Sequence, residues 1–211
     1  AKGVHLKAFE EVVADLLPTV RPSFHQLPHV PDTIQNDNWP FDELPSAARV
    51  SGKAPGQLSG KRALRKEGQL RSLLRCIVAM IPQKEAEHDR KITIVDFCGG
   101  TGWLSIPLAL ILPHCEVIIV DLKAASLNYV HKKAIQCSKD ETQSIDIGDV
   151  YDKGKHVTQH DLTKRQCKGI PNLYTFHGSI ETFNEDFDIG CALHACGEAS
   201  DIVLRKCGEH R

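Results

Sequence analysis

The chain has 211 residues, 41% of them apolar and 25% charged, which excludes wholesale disorder and fibrous repeats and leaves room for one domain with an appendage. Lys plus Arg number 26 against 27 Asp plus Glu, so the net charge is −1 and no global field draws the protein to nucleic acid or membrane. No run approaches the ~20 apolar residues of a membrane span. In chain order, Val4, Leu6, Phe9, Val12, Val13, Leu16 and Leu17 fall at helical spacing and predict a helix ending near Pro18. Seven prolines between Pro18 and Pro55 then forbid a long helix or a central strand, and predict an extended, irregular arm. This N-terminal part is read as residues 1–59, ahead of a folded domain over 60–211.

From Lys61 to Ile81 the pattern becomes helical, with Leu70, Leu73, Leu74, Ile77, Val78 and Ile81 on one stripe. The same segment is basic, through Lys61, Arg62, Arg65, Lys66, Arg71 and Arg75. It reads either as a solvated helix face or as a contact for an anionic partner such as RNA. Four strand-length apolar runs follow, Ile92–Phe97, Glu116–Asp121, Leu173–Phe176 and Phe187–Leu193. A helical stretch at Trp103–Leu112 lies between the first two strands, and another at 123–137 follows the second. Residues 138–171 are polar, carry no clear period, and read as an enlarged connection. The alternation predicts an α/β fold, a doubly wound and mostly parallel sheet covered by helices on both faces.

The most informative segment is Val95-Asp96-Phe97-Cys98-Gly99-Gly100-Thr101-Gly102. A buried strand ends in an acid, and a glycine-rich turn leads into a helix. In a doubly wound sheet such a turn sits at the carboxyl edge, where ligands bind. Gly99, Gly100 and Gly102 let a ligand approach the main chain, and the amides that follow could hold an anionic group. A dinucleotide turn wants G-x-G-x-x-G, but Ser105 stands at the third glycine position. Asp96 would repel a pyrophosphate and would instead suit an ammonium or sulfonium charge. Those electrostatics favour S-adenosylmethionine over NAD(P). A structural turn with no ligand is the third reading.

Asp121 ends the second strand, followed by Leu122, and an acid there can accept hydrogen bonds from both ribose hydroxyls of an adenosine. Ser179 and Ile180 follow the third strand, where the adenine would lie. His194 and Cys196 follow the fourth strand, whose end would meet the transferable methyl group, and they are the catalytic candidates. His194 reads as a base, a substrate hydrogen-bond donor or a satisfied structural histidine. The spacing of Cys191, His194, Cys196, Cys207 and His210 matches no common zinc finger, and strand alternation sets Cys191 and His194 on opposite faces, so no metal is expected. The eight cysteines read as reduced thiols in a cytoplasmic protein, with the nucleus as the alternative.

Asp96-Phe97-Cys98-Gly99-Gly100-Thr101-Gly102, Val120-Asp121 and the fourth-strand segment together resemble motifs of the class I S-adenosylmethionine-dependent methyltransferases. With Ala192-Leu193-His194-Ala195-Cys196-Gly197 through Asp201, the resemblance narrows to a subgroup. That subgroup includes the methyltransferase domain of glutathione S-transferase C-terminal domain-containing proteins, with kinship to tRNA acceptor-stem 2′-O-methyltransferases. The resemblance spans about residues 60–205 and includes the basic helix at Lys61–Lys66. It implies a Rossmann-like fold and methyl-donor binding at Asp96, Gly100, Gly102 and Asp121, and it does not fix the acceptor; transfer to an O or N is the leading expectation. An RNA acceptor held through Arg62, Arg65 and Lys66 is the expectation for the partner. The rivals are a non-catalytic binding module and an NAD(P)-binding oxidoreductase. With Met80 the lone methionine and strands counted only to the fourth, the expectation is of a chain truncated within a larger fold.

Overall fold

The computed structural model describes residues 43–52, 57–81, 91–138, 148–152 and 162–209. The helix expected over 4–17 and most of the Pro-rich arm lie outside the described residues. Helix α1 spans Gly60–Met80, α2 Ser105–Ile111, α3 Ala124–Cys137 and α4 Glu198–Glu209. The strands are β1 Thr93–Phe97, β2 Glu116–Asp121, β3 Lys164–Gln166, β4 Leu173–His177 and β5 Ile189–Cys191. They form one sheet in the order β3-β4-β2-β1-β5. All neighbours run parallel except β3, which is antiparallel to β4. This is the Rossmann-like, mostly parallel sheet that the alternation predicts.

Both faces of the sheet are buried, so β2 is apolar at four successive positions, Val117 to Val120, rather than at every second one. Ile94, Val117 and Ile119 join one core with Leu70, Leu74 and Ile77 of α1 and with residues of α2 and α3. Val95, Phe97, Ile118 and Val120 point the other way and meet Phe176, Phe183, Phe187 and Val203 of α4. Phe97 packs edge-on against Phe183 and Phe187, at centroid distances of 5.9 and 5.6 Å. The described part of the arm is not detached. Leu44, Ala48 and Val50 are buried in the first core, around a single 3₁₀ turn at Ser46–Ala48.

Two elements differ from the sequence reading. The stretch 138–171 contains β3, so the sheet has five strands where four were expected. Lys164, Arg165 and Gln166 offer no apolar pattern, and only pairing with β4 makes them a strand. The fourth expected strand is also shorter, ending at Cys191 rather than Leu193. The alternation argument separating Cys191 from His194 therefore does not hold. They are apart for another reason: Cys191 is buried with its thiol on the Val95 carbonyl at 3.3 Å, and His194 is exposed beyond the strand. No helix among the described residues is long and apolar enough to cross a membrane.

Candidate functional site

The carboxyl ends of β1, β2 and β4, the segment after β5 and the first half of α1 converge on a cavity of about 1010 Å³. In the sheet order the chain runs outward from β1 through β2 and later returns from β4 across β1 to β5, and that reversal opens a crevice. The glycine turn forms its floor. Cys98 at φ 58° and Gly100 at φ 56° both take the left-handed conformation, and the Cys98 amide donates to the Val120 carbonyl at 2.8 Å. The chain thus folds back over the end of β2 before α2 begins.

Two carboxylates face this cavity from either side of the turn. Asp121 is committed to the backbone: its Oδ2 accepts from the Gly100 amide at 2.9 Å and its Oδ1 from the Lys123 amide at 2.7 Å. Each oxygen keeps a second lone pair. Asp96 is 1% exposed. Its Oδ2 accepts from Ser105 Oγ at 2.5 Å, and its Oδ1 has no hydrogen-bond partner. Burial pushes this carboxyl up to about 7, against the Ser105 hydrogen bond, and the charge of Asp121 adds to the rise. Asp96 lines the cavity, and its buried oxygen without a partner suits a hydrogen-bond donor or a cation. Ser105 is also explained: a glycine there would leave neither oxygen of Asp96 bonded.

The opposite wall is basic. Arg62, Arg65 and Lys66 of α1 line the cavity. The two arginines are exposed, while Lys66 is only 9% exposed and turns inward. Its Nζ lies 2.5 Å from His194 Nε2. Burial lowers Lys66, although the Asp96 charge pulls the other way, and burial followed by the Lys66 charge lowers His194. One cavity therefore offers an acidic floor for a cation and a basic wall for an anion.

The expected site residues fall as follows. Asp96, Gly99, Gly100, Asp121, Leu122, Ser179, Ile180, His194 and Cys196 all border the cavity. Leu122 is 63% exposed and presents an apolar surface at the rim. Ser179 closes the turn after β4, its Oγ accepting from the Thr182 amide at 3.3 Å. Gly102 is not among the lining residues; it takes φ 73°, and a Cβ there would lie 3.0 Å from Ile106 Cδ1. The amides of Gly100 and Gly102 donate within the protein, to Asp121 and to the Gly99 carbonyl, and this narrows the anion cradle the glycines suggested.

Sequence reasoning does not place Cys98, Trp103 or Lys66 in this pocket, although all three line it. Cys98 carries no sequence signal for its φ. Trp103 borders the cavity, with the Lys133 ammonium 4.4 Å from its ring centroid. Lys66 reads from sequence as one of three basic contacts for RNA, yet it lies three residues after buried Ala63 and four before buried Leu70. That spacing was the signal for an inward side chain. Among the described residues, no group of three or more His, Cys, Asp or Glu could hold a metal.

Residues 65–211 match the family described as methyltransferase domain. The chain is 35% identical over 167 residues to a glutathione S-transferase C-terminal domain-containing protein of Bos taurus, covering 79% of this chain and 20% of that protein. The corresponding protein of Homo sapiens is 33% identical over 169 residues, covering 80% of this chain and 20% of that protein. The chain thus spans about a fifth of the length of these curated relatives. A shorter similarity, 30% over 74 residues, links it to ribosomal RNA small subunit methyltransferase G of Staphylococcus saprophyticus, covering 35% of this chain and 31% of that protein. No solved structure matches.

Proposed function

The chain belongs to the methyltransferase domain family, and from that premise we propose that it is an S-adenosylmethionine-dependent methyltransferase acting on an oxygen or nitrogen acceptor. The observation that carries the reading is Asp96, a buried carboxylate whose Oδ1 has no protein partner and which opens onto the cavity. A cationic ligand satisfies that oxygen and stabilises its charge, whereas a pyrophosphate would be repelled. Asp121, with a free lone pair on each oxygen, suits the ribose diol, and Ile180 and Leu122 suit the flanks of an adenine. Bound there, S-adenosylmethionine would supply an activated methyl group. The chain's own part is to hold the acceptor in line and to exclude water.

The acceptor in this reading is RNA. Arg62 and Arg65 line the same cavity and, among the described residues, have no hydrogen-bond or ion-pair partner, so they are available to phosphates. The similarity to a methyltransferase named for ribosomal RNA supports the same acceptor class. The protein works in the cytoplasm or nucleus, where its eight thiols stay reduced.

Calorimetric titration with S-adenosylmethionine, S-adenosylhomocysteine and NAD tests the donor assignment. Binding of both adenosyl compounds and not of NAD is the expected result. Binding of NAD alone, or of none of the three to folded protein, would refute it.

A further inference from the structure

We infer that Lys66 and His194 form a proton relay that receives the hydrogen of the methyl acceptor, with His194 touching the acceptor and Lys66 positioning its ring. The inference rests on the methyl-transfer reading above. Lys66 stands on α1 and His194 follows β5, 128 residues later in the chain, and their nitrogens lie 2.5 Å apart at the cavity. A buried ammonium ordinarily finds a carboxylate. Here the hydrogen-bond partner of Lys66 among the described residues is an imidazole, itself a base.

Two bases at this distance hold one proton between them, because a second would set two positive charges side by side. The pair then has two forms. In the first, the Lys66 ammonium donates to Nε2, and Nδ1 carries the ring hydrogen. In the second, neutral Lys66 accepts from Nε2–H, and Nδ1 presents a lone pair. The second form is the receptive one. The acceptor's O–H or N–H bond breaks with its electrons staying on the acceptor atom, which uses an electron pair to bond the incoming carbon. The electrons of the donor's carbon–sulfur bond stay on sulfur. The proton enters Nδ1, the Nε2 hydrogen passes to Lys66 Nζ, and the pair ends in its first form. To restore the receptive form, Nδ1 releases its proton to solvent and the Lys66 ammonium passes one back to Nε2.

The surroundings decide how readily the pair gives up that proton. Arg62 and Arg65 on α1 and Lys123 after β2 disfavour a further positive charge. Asp96 on β1, Asp121 on β2, Glu181 after β4 and Glu198 on α4 favour one, and the thiols of Cys98 and Cys196 face the same cavity. Burial is the leading cause for both members, and it moves each of them down. A structural hydrogen bond would need only one fixed form, whereas a relay must pass between two.

Nitrogen NMR of ring-labelled histidine, followed from about pH 5 to about pH 10 without any donor, reads the two forms directly. In the wild type the His194 signals should switch from the Nδ1–H to the Nε2–H tautomer as Lys66 loses its proton. In Lys66→Met the switch should vanish and the imidazole should titrate at higher pH, since the neighbouring charge is gone. A wild-type ring that keeps one tautomer, or titrates as it does in Lys66→Met, overturns the relay. If Lys66→Met does not fold, the wild-type switch alone decides. Titration of wild type with S-adenosylhomocysteine runs alongside: absence of binding there refutes the donor reading, while the tautomer result still stands or falls by itself.

Discussion

The Gly100 amide donates to Asp121 Oδ2 at 2.9 Å, so the end of β2 holds the glycine turn that leaves β1. The acid proposed to bind ribose therefore also shapes the floor on which the ligand lies. Replacing it removes a ligand contact and frees the Gly100 and Lys123 amides together.

Asp121→Ala should weaken S-adenosylhomocysteine at least tenfold, about 1.4 kcal/mol, by loss of a charge-assisted hydrogen-bond pair. It should also cost roughly 1–3 kcal/mol of folding stability, because two backbone donors lose their acceptor. Asp121→Asn keeps one carbonyl oxygen and should lose less stability than Ala in urea unfolding while still binding poorly. Equal stability of Ala and Asn would remove the scaffolding role.

Asp96 should make the fold less stable as pH rises. Its folded value is raised from 3.8 to about 7, so between those limits the folded state holds the proton more tightly than the unfolded chain. Stability from this group is full below pH 3.8, declines as pH rises toward about 7, and is constant above. Asp96→Asn, which removes the buried charge, should therefore gain stability relative to wild type on going from about pH 4 to about pH 8. Urea midpoints at the two pH values check it, and an unchanged difference would contradict the burial of an ionisable group there.

Gly99 is close-packed against that carboxylate. An added Cβ would sit 2.7 Å from Asp96 Oδ2 and 2.9 Å from Ile119 Cγ2. Gly99→Ala should cost roughly 1–3 kcal/mol through overpacking and should displace Asp96 from the cavity. Gly68, on an exposed stretch of α1 with nothing within 4 Å of a Cβ, gives the opposite sign. Gly68→Ala should stabilise by roughly 0.5–1 kcal/mol. Thermal unfolding of the two variants measures both.

Arg62 and Arg65 should carry the salt dependence of RNA binding. Neutralising both as glutamine should flatten the log-affinity against log-salt slope by about 1.4, the release expected for two phosphate contacts on single strands. A filter-binding series over several salt concentrations reads the slope. An unchanged slope would exclude α1 from the RNA surface.

Much of this site is legible in the chain itself. Glu116-Val117-Ile118-Ile119-Val120-Asp121 reads as a strand buried on both faces, and the structure starts and ends β2 where that run does. Asp96 and Asp121 are readable because a parallel sheet sends the carboxyl ends of β1 and β2 to one edge. Three features required tertiary contacts. Lys164-Arg165-Gln166 is a strand only because Phe176, Thr175 and Tyr174 lie opposite it. The left-handed Cys98 is held by the Val120 carbonyl, which no local pattern encodes. The approach of Lys66 to His194 spans 128 residues, so sequence shows only that Lys66 shares a helix stripe with Leu70 and Leu74.

The central claim is that ionised Asp96 attracts a cationic adenosyl donor. Calorimetric titration of S-adenosylmethionine at about pH 6 and about pH 8 tests it most directly, on wild type and Asp96→Asn. With Asp96 at about 7, wild-type affinity should be about tenfold weaker at the lower pH, with proton uptake by the protein opposing binding. Asp96→Asn should bind weakly and nearly independently of pH. Equal wild-type affinity at both pH values, matched by Asp96→Asn, would contradict the account.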